Sequence, residues 1–156
     1  MIQATARVLQ NRIELQVGAE SWVGRPVVAA TGAVARRIAA LFSTVYEMRT
    51  AAEPETVRAT VSYHPKKDEI LIQIGEQKWR TQSTLFGPTT FEYGGLTYSI
   101  FEKLTGRFAL FRGEAPIAEG ELRFRSCLLR EYPPELEAFL ANLSVGYLIR
   151  SLFWAL

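Results

Sequence analysis

Cysteine and histidine are almost missing from this sequence of 156 residues, which contains only Cys127 and His64. One cysteine cannot form an intramolecular disulfide, so the sequence excludes a secreted scaffold held together by disulfide bonds. Metal sites and catalytic sites need several ligating or acid–base side chains at suitable spacing, and no such group accompanies His64. We therefore expect no metal ion, no cofactor, no catalytic residue and no enzymatic activity.

The sequence also shows little charge imbalance, and we expect no N-terminal targeting segment. Its 18 basic and 16 acidic residues give a formal net charge of +2, which is too small by itself to indicate nucleic-acid binding. Residues 1–17 contain no continuous apolar stretch of the kind found in signal peptides, so we expect a cytoplasmic protein. The content of 48% hydrophobic and 22% charged residues is typical of a globular protein, and we predict a single domain over residues 1–156.

Short strand signals follow one another from residue 1 to residue 132. Apolar and polar residues alternate over 57–63, and apolar residues recur at every second position over 70–74. The dipeptide Gly94-Gly95 supplies the positive φ angles of a tight hairpin turn between two further strands. Closely spaced strands of this kind are typical of an antiparallel meander, so we predict a mostly β fold with about twelve strands, in a barrel or a sandwich.

A short additional helix is predicted near residues 33–41. Val34 and Ile38 are four positions apart and lie on one helical face, while Arg36 and Arg37 lie on the other. No linker or low-complexity run accompanies this change of periodicity. The helix is therefore expected to interrupt the succession of strands without dividing the chain into domains.

The C-terminal stretch 138–156 contains a single charged side chain, Arg150. A helix is predicted over 134–156, and it is apolar on nearly every side, as is typical of a helix buried in a core or in a membrane. Hydropathy does not decide between the two, because one central arginine costs about 2.5–3.5 kcal/mol and offsets the gain from the large apolar residues. Nineteen helical residues extend about 28 Å, which matches a barrel strand of about eight to ten residues.

We predict that the barrel closes around this helix. A barrel of about eleven strands can enclose a central helix, and the expected number of strands agrees with that size. The expected axis contains Phe139, Leu143, Tyr147, Arg150 and Trp154. Because an unpaired buried charge is costly, we predict an acidic or backbone-carbonyl partner for Arg150 at the barrel mouth.

The end of the chain resembles the LURP-one-related, tubby-like superfamily. The resemblance lies in a meander followed by the segment GELRFRSCLLREYPPELEAFLANLSVGYLIRSLFW, that is, in a strand pattern, the PPELEAFL stretch and the apolar run. It implies a twelve-stranded barrel closed around a hydrophobic C-terminal helix. It also implies a non-enzymatic binding or adaptor role, with a phospholipid or a protein as partner and a position peripheral to a membrane.

Basic side chains are the feature of the sequence that indicates a candidate binding site. Lys78 and Arg80 share a face of one predicted strand, and Arg123 and Arg125 share a face of another. If these faces adjoin, they form a candidate patch for anionic lipid headgroups, where each basic residue contributes about 1 kcal/mol. Alternating charge is also the usual pattern of a solvent-exposed strand face. Trp79, between the first pair, is expected to point inward.

Two other architectures account for parts of the pattern. A START-like helix-grip fold, α+β in class, has a similar order of elements and carries a small apolar ligand, although its last helix keeps one polar face. A C-terminally tail-anchored membrane protein would use the same apolar helix as its anchor. The single cysteine, Cys127, is expected to be a small core or near-surface residue rather than a reactive thiol.

Overall fold

The computed structural model describes residues 1–28, 32–41, 43–85 and 87–155, and it is an antiparallel barrel of twelve strands. The strands are β1 Ile2–Arg7, β2 Arg12–Val17, β3 Glu20–Pro26, β4 Val45–Thr50, β5 Ala59–His64, β6 Glu69–Ile74, β7 Gln77–Arg80, β8 Thr89–Tyr93, β9 Leu96–Glu102, β10 Arg107–Arg112, β11 Ala115–Arg123 and β12 Ser126–Glu131. The helices are α1 Ala33–Leu41 and α2 Glu137–Ala155, and short 3-10 turns cover Val8–Gln10 and Pro134–Leu136.

Each strand pairs with its neighbours in the chain, as expected for a meander. The sheet order runs β7-β6-β5-β4-β3-β2-β1-β12-β11-β10-β9-β8, so the pairing of β1 with β12 joins the two ends of the meander. The alternation of apolar and polar residues predicted for 57–63 is explained by β5, where Ala59, Val61 and Tyr63 point into the barrel and their neighbours do not. Gly94 and Gly95 adopt φ angles of 58° and 77° in the β8–β9 turn, as predicted. The twelve-stranded barrel, rather than the helix-grip fold, is thereby confirmed.

The barrel has one seam, between β7 and β8. Beyond the end of β7, Gln82 and Thr90 exchange two backbone hydrogen bonds of 2.8 and 2.9 Å, and these form the bridge across the seam. Trp79 on β7 stacks on Tyr93 on β8, and both rings pack against Phe139 of α2. The inward position expected for Trp79 thus closes the seam with aromatic side chains where backbone pairing is short.

Helix α2 lies inside the barrel. All eleven residues from Phe139 to Ile149 are buried, which means that every side of the helix is covered. Strands β1, β2, β5, β6 and β12 pack on it, and Phe108 of β10 stacks on Tyr147. Gly146 allows the close approach of β6, because a side chain there would overlap Ile70. The predicted axial helix is confirmed; it begins at Glu137, after a 3-10 turn, rather than at residue 134.

The meander divides its connections between two ends of the barrel. We call the end at which α2 terminates the carboxyl mouth; it contains the connections 8–11, 27–44, 65–68, 81–88, 103–106 and 124–125. The opposite end, the amino mouth, contains the connections 18–19, 51–58, 75–76, 94–95, 113–114 and 132–136. Helix α1, found at its predicted position, belongs to the long connection at the carboxyl mouth.

Candidate functional site

Large apolar side chains protrude from the connections of the carboxyl mouth. Leu9 and Leu104, in two different connections, are fully exposed, and Trp154 in the last turn of α2 is 65% exposed. The other exposed apolar residues of this mouth are Val27, Val34, Ile38, Leu85 and Phe124. Single exposed apolar residues are common on proteins, but a set of them concentrated at one end is typical of an interaction surface.

The same mouth is basic. Its connections contain six basic residues, Arg36, Arg37, Lys66, Lys67, Lys103 and Arg125, against the single carboxylate of Asp68. The amino mouth has the opposite composition, with Glu53, Glu55, Glu76, Glu114 and Glu135 against Arg58. The small net charge of the chain therefore conceals a strong separation of charge along the barrel axis.

Arg150 holds the end of α2 in the carboxyl mouth. Its Nε donates a hydrogen bond of 2.9 Å to Asp68 Oδ1, and its Nη1 lies 3.4 Å from both carboxylate oxygens of Glu102. Asp68 lies in the β5–β6 turn and Glu102 at the end of β9, so the guanidinium connects elements from both sides of the seam. The acidic partner predicted for Arg150 is present.

Two aromatic residues extend this ion pair into a network. Trp154 Nε1 donates to the Tyr63 hydroxyl at 2.7 Å, and the Tyr63 hydroxyl donates to Asp68 Oδ1 at 2.6 Å. Burial raises the pKa of the Asp68 carboxyl, but the hydrogen bonds from Arg150 and Tyr63 outweigh burial, and the net pKa lies below its usual value. For Arg150, burial lowers the pKa, and Asp68 and Glu102 reverse that effect and raise it. Both groups therefore remain charged at neutral pH.

The structure places the predicted axis residues in two environments. Phe139, Leu143 and Tyr147 are buried inside the barrel. Arg150 is half-buried at the mouth, and Trp154 is mostly outside it. The helix is longer than the enclosed space, so its last turn joins the exposed surface.

The predicted headgroup patch is not a single patch. Lys78 and Arg80 lie on β7, and Arg123 and Arg125 lie at the end of β11 and in the turn after it. Strands β8, β9 and β10 separate the two pairs, because the meander places β7 and β11 four positions apart across the seam. Only Arg125 contributes to the carboxyl mouth as a connection residue.

The residues with potential chemistry of their own do not form a cluster. Cys127 is fully buried, and burial raises the pKa of its thiol to about 12, so it remains a protonated core residue. His64 is exposed at the end of β5. Within the described ranges, no three His, Cys, Asp or Glu side chains come together as a candidate metal site.

Comparisons with protein-family models, with curated proteins and with solved structures find no match to this chain. The geometry of the carboxyl mouth is therefore the basis for a functional proposal. Sequence reasoning did not identify that surface, although a signal was available: Leu9, Leu85, Leu104 and Phe124 are apolar residues inside connections, where polar residues are usual.

Proposed function

We propose that this protein is a non-enzymatic membrane-binding module that docks its carboxyl mouth on an anionic lipid surface. The observation that carries the proposal is the coincidence, at one end of the barrel, of the protruding apolar side chains with the excess of basic residues. Apolar side chains enter the region between headgroups and acyl chains, and the basic residues pair with anionic headgroups at about 1 kcal/mol each.

The charge separation supports one orientation on the membrane. Five acidic residues in the connections of the amino mouth would be repelled by anionic lipids, whereas the carboxyl mouth is attracted. Lys66, Lys67 and Lys103 are exposed residues of two connections at the carboxyl mouth, and Lys103 directly precedes the exposed Leu104 in the chain. Docking by this end leaves the barrel wall free for a protein partner, which is the adaptor part of the proposal.

The apolar helix α2 supports peripheral docking rather than insertion. The segment Pro134–Ala155 is long and apolar enough to cross a membrane, but 61% of its most apolar window is buried inside the barrel. A tail anchor would have to expose eleven buried residues and break the contacts of Arg150 with Asp68 and Glu102. That rearrangement opposes the tail-anchored alternative.

The packed interior likewise opposes the START-like carrier. In the barrel interior, a cavity against the enclosed part of α2, between Phe108, Ser144 and Tyr147, has a volume of about 10 Å³. That space accommodates one water molecule at most, whereas ligand pockets span about 300–1,000 Å³. The resemblance to the LURP-one-related, tubby-like superfamily remains a proposal, supported by the twelve-stranded barrel and its enclosed helix.

Vesicle sedimentation tests the proposed function. We expect the protein to co-sediment with vesicles of phosphatidylcholine and phosphatidylserine, more weakly at high salt, and not with pure phosphatidylcholine. Replacing Leu9 and Leu104 by serine removes two inserted side chains and should weaken binding about ten- to hundred-fold. The matched control replaces Val57 and Leu96, which are exposed at the amino mouth, by serine. This variant should bind as the unmodified protein does.

Two results would contradict the proposal. Equal losses from both pairs of substitutions would show that the carboxyl mouth has no special role. An absence of binding to anionic vesicles would leave an adaptor that recognises a protein surface instead.

A further inference from the structure

A cavity of about 170 Å³ opens at the carboxyl mouth, beside the end of α2. It lies between α2, the end of β1, the start of β4 and the β11–β12 turn. The side chains that form its apolar walls are Ala6, Val8, Tyr46, Ile149, Leu152 and Phe153. The cavity therefore offers an apolar interior within the surface that we propose to face the membrane.

Three arginines, Arg7, Arg12 and Arg125, line the same cavity. Glu14 accepts from Arg7 Nε at 3.2 Å and from Arg12 Nη2 at 2.6 Å, so one carboxylate serves two guanidinium groups. Arg125 makes no ion pair with any carboxylate in the part of the chain that the structure describes, and its guanidinium lies 5.2 Å from the centre of the Phe124 ring. The three arginines thus keep a net positive charge beside an apolar interior, which suits a ligand with an anionic head and an apolar chain.

The size of the cavity limits how much of such a ligand can enter. Pockets that enclose a whole small molecule have volumes of about 300–1,000 Å³, well above the volume found here. Only a segment of a chain can be accommodated, and the rest must stay outside. A lipid in a bilayer meets that condition, because most of its apolar surface remains in the membrane.

We propose that this cavity, which we call the acyl pocket, binds part of one acyl chain of an anionic membrane lipid, with the headgroup paired to Arg7, Arg12 and Arg125. The inference rests on the proposed function, since docking of the carboxyl mouth brings the pocket to the lipid. It adds a defined lipid site to what would otherwise be a general attraction to negative charge.

Calorimetric titration with a monomeric probe tests the pocket without a bilayer. Decyl phosphate, below its micellar concentration, combines an anionic head with a chain, and we expect saturable binding with one site. Butyl phosphate has the head with a short chain, and decyl maltoside has the chain without charge. Both should bind at least about ten-fold more weakly, because each lacks one of the two interactions.

Substitutions locate the site. Arg125→Gln should weaken decyl phosphate about ten-fold by removing a charge-assisted contact. Arg123→Gln is the matched control, because Arg123 is also exposed but does not line the pocket, and it should leave the affinity unchanged.

Val8→Phe fills the pocket and should abolish binding of decyl phosphate. It should retain most of the docking on anionic vesicles, which depends on the protruding side chains. Thermal unfolding checks that the Val8→Phe variant is folded. If it is not, Arg125→Gln still tests the pocket, because Arg125 is an exposed residue.

The outcomes separate the pocket from the docking surface. If the protein docks on anionic vesicles but does not bind decyl phosphate, the pocket inference is overturned and the proposed function stands. Equal affinities for butyl and decyl phosphate would also overturn it, since they would indicate a site for the anionic head alone. Binding of decyl phosphate without docking on vesicles would overturn both the proposed function and the bilayer as the source of the ligand.

Discussion

Arg150 shows how a single residue determines where the apolar helix can lie. It is the one charged side chain between residues 138 and 156, and its contacts with Asp68 and Glu102 hold it at the barrel mouth. The need for an acidic partner could be predicted from the cost of burying an unpaired charge. The identity of the partners could not, because they lie 82 and 48 residues away in the chain, and their positions depend on how the meander closes.

The pKa of Asp68 leads to a prediction about stability and pH. Because its pKa is lower in the folded state, Asp68 stabilises the fold fully above its unfolded pKa of about 4, and this contribution is lost as the pH falls through the folded value. Asp68→Asn should lower the free energy of unfolding by about 1 kcal/mol at pH 7. The loss is smaller than that for a fully buried ion pair, because Asp68 is partly exposed. The difference from the unmodified protein should become smaller below about pH 4, as measured by urea unfolding across pH.

The control is Glu53→Gln, which removes the partner of Arg58 in an exposed ion pair and should change stability by less than about 0.5 kcal/mol. A cost of Asp68→Asn that stays constant down to pH 2 would show that the carboxylate does not stabilise the fold through its charge.

At the scale of the element, α2 holds together a barrel whose two edge strands, β7 and β8, barely pair with each other. Phe139 packs against Trp79 and Tyr93 across the seam near one end of the helix, and Arg150 joins Asp68 and Glu102 near the other. The all-round apolarity of α2 predicted its burial. The seam could not be predicted, because the backbone pairing of β7 with β8 is limited to one bridge that no sequence pattern indicates.

Gly146 provides a test of this tight enclosure. A valine at this position would overlap Ile70 of β6, and overpacking of a core of this kind usually costs about 1–3 kcal/mol. Gly146→Val should therefore destabilise the protein in urea unfolding, although valine is a better helix former than glycine. The control is Ser151→Val in the half-buried last part of α2, which should have a smaller effect.

A double substitution makes that test specific. In the background of Ile70→Ala, which removes the overlapping atoms, the additional cost of Gly146→Val should decrease by about 1 kcal/mol or more. If the two effects simply add, Gly146 of the helix and Ile70 of β6 are not in close contact.

At the scale of the whole molecule, the charge separation and the apolar tips are properties that emerge only from the topology. The near balance of 18 basic and 16 acidic residues conceals them, because successive connections alternate between the two mouths. Strand number, the enclosed helix and α1 could be predicted from local periodicity. Local periodicity could not predict whether Lys78 and Arg80 lie next to Arg123 and Arg125. Which strands are neighbours in a barrel depends on how the sheet closes and where its seam lies.

The most direct test of the central claim is the orientation of the barrel on a membrane. Leu104 and Leu96 are exposed apolar residues in hairpins at the carboxyl and amino mouths, respectively. Each can be replaced by cysteine and labelled with the polarity-sensitive fluorophore NBD, while the native Cys127 is buried and stays unlabelled. With phosphatidylserine-containing vesicles, the label at position 104 should shift to shorter wavelength and gain intensity, and the label at position 96 should not change. An equal or larger response at position 96, or no response at either position, would contradict docking by the carboxyl mouth.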